Sequence, residues 1–153
     1  MFKIRIITFI TVLIFLSSCK DKINSNIPTV NFRVTINLTR PEYAALLGDG
    51  QSITLPTYDD YGQRAGYAGL VIIKNTSLSD VGYFAFDRCC THNPSEAHQV
   101  EADGALAVCP IDSSVFVLID GSGIPSTGPA TLPLRRYNVS ISGNELSVYQ
   151  YAN

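Results

Sequence analysis

The sequence predicts an all-β domain, a small sandwich or barrel of short antiparallel strands. Three observations predict it. Apolar and polar residues alternate strictly from Val30 to Leu38, and further short apolar runs follow. Turn-forming residues punctuate those runs closely, and no long amphipathic helix, internal repeat or low-complexity tract interrupts them. With 153 residues, 46% hydrophobic and 16% charged, the chain suits one domain with a real core. Gly 11 and Pro 8 at that apolar content exclude collagen-like, coiled-coil and disordered classes. Eleven basic against thirteen acidic side chains leave no basic surface, so a nucleic-acid partner is not expected.

The chain opens with Lys3 and Arg5, an unbroken run from Ile6 to Leu16, then Ser17, Ser18 and Cys19. That is the pattern of a signal peptide over residues 1–18, and the run is short of the ~20 apolar residues a spanning helix needs. Leu16-Ser17-Ser18-Cys19 resembles the bacterial lipobox, which implies a lipidated Cys19 and a protein anchored in the cell envelope, facing the periplasm or the cell surface. Residues 19–28, polar and rich in Asn and Ser, are expected to be a flexible tether. The domain is expected over 29–153.

Val30, Phe32, Val34, Ile36 and Leu38 form one face of a half-buried strand. Pro41 suits the first position of one or two helical turns ending at Leu47, before Gly48-Asp49-Gly50. Strands are expected at Ser52–Leu55, Gly69–Lys74, Val81–Phe86, Ala105–Val108, Val115–Ile119, Tyr137–Ser142 and Glu145–Tyr149. Leu70-Val71-Ile72-Ile73 is the pattern of a strand buried on both faces. Tyr58–Gly66 reads as a loop with a turn at Asp59-Asp60, and Ser142-Gly143-Asn144 as a hairpin turn.

Chemistry concentrates in two segments, Cys89-Cys90-Thr91-His92 and Cys109-Pro110-Ile111-Asp112-Ser113-Ser114-Val115-Phe116. Each offers a soft sulfur with a harder N or O donor, a set that closes round a metal. The pattern C-x-H then C-x-x-D, with Pro110, Ser114 and Phe116 in register, resembles the Rieske domain family. That family holds a [2Fe-2S] cluster with two thiolates on one iron and two imidazoles on the other. The resemblance implies an electron carrier, not an enzyme, serving a redox partner protein. Cys90 and Cys109 take the thiolate positions, His92 the first imidazole, and Asp112 the place of the second. Ser114 and Pro129 take positions around the cluster, Pro129 within a covering loop Gly128-Pro129-Ala130.

Several positions depart from the family. Ser113 replaces a glycine, Cys89 is additional, and Ser95 and Ile111 stand where some members carry a disulfide. Two other readings stay open. A single ion such as zinc fits Cys90, His92, Cys109 and Asp112. A clusterless scaffold with a binding or structural role would leave Cys109 to pair with Cys90 or Cys89 in an oxidising compartment. The signal lacks adjacent arginines, which favours export before folding. His98, in the polar Pro94–Gln99 stretch, is expected to be a solvated surface residue.

Overall fold

The computed structural model describes residues 25–151. The signal segment, Cys19 and most of the tether lie outside the described residues. Among the described residues, no helix is long and apolar enough to cross a membrane.

The expected strands are present as β1 (Phe32–Asn37), β2 (Ser52–Leu55), β3 (Leu70–Lys74), β4 (Tyr83–Asp87), β6 (Leu106–Val108), β7 (Val115–Val117), β9 (Arg136–Ser142) and β10 (Glu145–Gln150). Two more, β5 (Glu101–Asp103) and β8 (Pro125–Thr127), have three residues each, too few to show a period in the sequence. The Pro41–Leu47 segment is a 3-10 helix with proline in its first turn and only Leu46 buried. A six-stranded antiparallel sheet runs β1-β10-β9-β4-β3-β2, and a four-stranded sheet runs β5-β6-β7-β8. The hairpin β9–β10 closes at Gly143-Asn144, with Ser142 opposite Glu145 and Gly143 at φ +57°.

β3 explains why its apolar run is unbroken. Leu70 and Ile72 face a core cluster with Val34, Ile36, Leu146 and Val148. Val71 and Ile73 face the opposite cluster, with Phe84, Phe86, Phe116 and Leu118. A strand covered on both faces has no position left for a polar side chain. Each of these fully buried aliphatic side chains contributes about 1.5–3 kcal/mol. The second cluster lies between the large sheet and the small one, and it includes Cys90 and Cys109. Both sulfurs are therefore rooted in the core.

Residues 25–28 depart from the expected loose tether. Ile27 is only 1% exposed and packs with Ala68 and Cys89. The Arg135 guanidinium donates to the carbonyl oxygens of Ile27 and Ser25, and Asn26 Nδ2 donates to the Thr91 carbonyl. An apolar side chain with a waiting pocket overrides the polar composition around it. The Asp59-Asp60 turn is as expected, since Asp59 Oδ1 accepts from the N–H groups of Tyr61 and Gln63.

Candidate metal centre

Three loops meet at one end of the domain. The first leaves β4 and runs through Cys89, Cys90 and His92 to Val100. Its base is set by Asp87, a buried carboxylate that accepts from the N–H groups of Tyr67, Ala68 and Cys89 and from the Tyr137 hydroxyl. Burial raises the Asp87 pKa, and those four donors oppose it. Nothing in the sequence singled Asp87 out; its one signal is an acid at the end of the apolar run Tyr-Phe-Ala-Phe.

The second loop joins β6 to β7. Cys109 N–H donates to the Ser114 carbonyl at 2.8 Å, Ser113 N–H donates back to the Cys109 carbonyl, and Asp112 Oδ1 accepts from Ser114 N–H at 2.8 Å. This knot leaves Ser113 in the left-handed region at φ +62°. The third loop, Gly128-Pro129-Ala130, lies on the second. A Cβ at Gly128 would stand 2.4 Å from the Ser114 Cα, so only glycine permits the approach. Ser114 Oγ accepts the Ala130 N–H at 3.1 Å, which pins the covering loop, and Pro129 is exposed on it.

Loop packing brings three donors together. The sulfurs of Cys90 and Cys109 and a carboxylate oxygen of Asp112 all lie within 4.8 Å of one another. Cys90 Sγ is 3.3 Å from Asp112 Oδ2, and each cysteine is 1% exposed. Burial pushes the Cys90 thiol up to about 12, with Cys109 and Asp112 adding to the effect. Partial burial raises the Asp112 carboxyl, but Ser114 and the two thiols outweigh it and hold it at about 2. Cys89, Cys90 and Cys109 are all free thiols. Cys89 points the other way, against Ile27 and Ala68, and burial followed by the Asp87 charge pushes its thiol up to about 12.

His92 is exposed and stands outside that triad, on the rim of the same cleft. The cleft has a volume of about 380 Å³ and is lined by Cys90, His92, His98, Cys109 and Asp112. His98 is thus half-buried on the cleft wall, not the solvated residue its polar neighbours suggested.

Comparisons with known proteins divide sharply. No family model matches the chain, and no curated protein matches it. Solved structures do. The chain is similar to a cyanobacterial plasma-membrane Rieske protein from Synechocystis, at 24% identity and TM-score 0.48, over 78% of this chain and 98% of that one. It is also similar to a ferredoxin from Sphingomonas yanoikuyae B1, at 21% identity and TM-score 0.44, over 68% and 89%. A third is the soluble domain of Rieske protein II from Sulfolobus acidocaldarius, at 21% identity and TM-score 0.40, over 93% and 73%. The neighbours are Rieske proteins and ferredoxins. At identities this low no ligand is carried across, and the donor set must be judged from this chain's own loops.

By that standard the cleft suits a [2Fe-2S] group. It presents two buried sulfurs within 4.8 Å of each other and of an Asp112 oxygen, and two imidazoles, His92 and His98, among the residues that line it.

Proposed function

We propose that this protein is a single-electron carrier that holds a [2Fe-2S] cluster of the Rieske type at the cell envelope. The observation that carries the reading is the convergence of the Cys90 and Cys109 sulfurs, from two separate loops, on a cleft lined by His92, His98 and Asp112. Cys90 and Cys109 would hold one iron and His92 would serve the other. Asp112 takes the motif position of the second imidazole, and His98 faces the same cleft. The cluster supplies a one-electron couple whose potential depends on its ligands and their surroundings.

The chain's own residues do the rest. Core packing keeps the two sulfurs dry, while the exposed His92 edge gives a redox partner protein a short approach. The Cys90 sulfur accepts the backbone N–H of His92, which favours its thiolate form. Loading releases the thiol protons, because only thiolates bind metal. The Asp112 carboxylate keeps a negative charge beside the sulfurs and favours the oxidised state. The lipobox at Cys19 supports anchoring to a membrane by acyl chains, with the domain outside the cytoplasm.

The compact triad also favours a second reading. Tetrahedral zinc spaces a thiolate sulfur and a carboxylate oxygen roughly 3.6 Å apart, close to the 3.3 Å between Cys90 Sγ and Asp112 Oδ2. Metal and sulfide analysis of the full chain, purified from its native membrane, separates the two. The iron–sulfur reading expects stoichiometric iron, acid-labile sulfide and broad visible bands. Colourless protein with zinc, or with no metal, overturns it.

A further inference from the structure

The first loop is closed by an isolated antiparallel bridge. Cys89 bridges Gln99, Cys90 N–H donates to the His98 carbonyl at 2.8 Å, and Val100 N–H donates to the Arg88 carbonyl at 2.6 Å. Directly opposed residues of an antiparallel bridge project from the same face. Cys89 and Gln99 form the bridged pair, and the Cys90 N–H to His98 carbonyl bond sets Cys90 beside His98. Alternation along the strand then sends the two pairs to opposite sides. Cys89 is packed into the rear against Ile27, while Cys90 and His98 both reach the cleft.

The His98 ring is also oriented. Its Nδ1 lies 2.8 Å from the Asn93 carbonyl oxygen, so in the neutral ring Nδ1 carries the proton and Nε2 keeps its lone pair. A carbonyl contact on one ring nitrogen is how a metal-binding imidazole is fixed in tautomer and direction. Among the described residues no hydrogen bond occupies Nε2. Asp112 is arranged differently: Oδ1 accepts from Ser114 N–H, and Oδ2 faces the Cys90 sulfur. Its carboxylate is committed to the thiol side of the cleft.

We infer that His98 is the second imidazole ligand of the centre, sharing the outer iron with His92 while Asp112 stays beside the thiolates. The inference rests on the iron–sulfur reading above and changes where the fourth ligand comes from. The ligand comes from the return segment of the first loop instead of from the second loop. The charge favours this assignment, since neutral imidazole adds none to a site that already holds two thiolates and a carboxylate.

The chain contains two histidines in all, which makes the test direct. Untagged full-length protein is purified with its centre, reduced, and examined by pulsed EPR for strongly coupled nitrogens. Two imidazole couplings are expected, and with two histidines in the chain they can only be His92 and His98. His98→Gln should lose one of them, and Asp112→Asn should keep both. A single coupling in the parent protein, with iron and sulfide present, overturns His98 as a second imidazole beside His92 and leaves the iron–sulfur reading standing. Two couplings retained in His98→Gln overturn it as well. Protein without iron and sulfide overturns both. Because the nitrogen count in the parent decides the matter, a variant that fails to load its centre does not obscure the result.

Discussion

The side-chain amide of Asn26 donates to the Thr91 carbonyl at 2.8 Å, joining the start of the described chain to the residue between Cys90 and His92. Beside it Ile27 is sealed against Cys89, and its carbonyl accepts from Arg135. The segment at the start of the described chain is thus the back wall of the first loop. Ile27→Ala removes a fully buried side chain and should cost about 2–4 kcal/mol in urea unfolding, with Asn26→Ala costing about 1 kcal/mol. Amide exchange at Thr91 and His92 should quicken in both. Unaltered stability and exchange would show that the strap is not seated there in solution.

Ser113 offers a substitution in the opposite direction. It is the one non-glycine residue at positive φ among the described residues, at +62°. A Cβ in that region costs roughly 1–2 kcal/mol. Glycine relieves the strain but gains entropy in the unfolded chain, which offsets about half. Ser113→Gly should therefore stabilise the metal-free protein by about 0.5–1 kcal/mol, read as a higher midpoint in thermal unfolding. A lower midpoint would mean that the Ser113 side chain contributes a contact worth more than the strain.

These particulars show which features the sequence could carry. β1 and β3 were legible because burial writes itself as a period: one face buried alternates, two faces buried do not. β5 and β8 were invisible because three residues complete no period. Cys90, Cys109 and Asp112 were legible as a group because each loop carries its donors within four positions. Ile27 and His98 were misread for one shared reason. Each sits among polar neighbours, and its burial is decided by a partner far along the chain or by a backbone bridge that local composition does not encode.

Asp112 places a negative charge 3.3 Å from one of the sulfurs that would bind iron. A nearby anion favours the more positive, oxidised centre, so it lowers the reduction potential. Asp112→Asn keeps the shape and removes the charge, although Nδ2 cannot replace both accepting oxygens. The potential should rise by on the order of 100 mV, equivalent to about 2 kcal/mol for one electron. Protein-film voltammetry on the loaded protein measures it. A shift within about 10 mV would show that the carboxylate does not face the centre in solution.

Tyr137 supports the Asp87 carboxylate, its hydroxyl donating to Oδ2 at 2.6 Å in the buried core. Burial raises the folded-state pKa of Asp87, and the tyrosine works against that rise. A raised carboxyl pKa means that the folded state binds the proton more tightly. The group's contribution to stability is therefore fullest below the unfolded value near ~3.9 and falls as pH climbs above it. Tyr137→Phe keeps the edge contact with Phe32, whose ring centroid lies 4.7 Å away, and removes only the hydroxyl. The folded pKa then rises further and the fall with pH steepens. The stability difference between the two proteins should be small near pH 4 and grow to about 2 kcal/mol by pH 7, the worth of a hydrogen bond to a charged acceptor. Urea titrations across that range give the curve. A gap that stays constant with pH would show that Tyr137 does not distinguish the ionised carboxylate from the neutral one, and that the first loop is founded on something other than this pair.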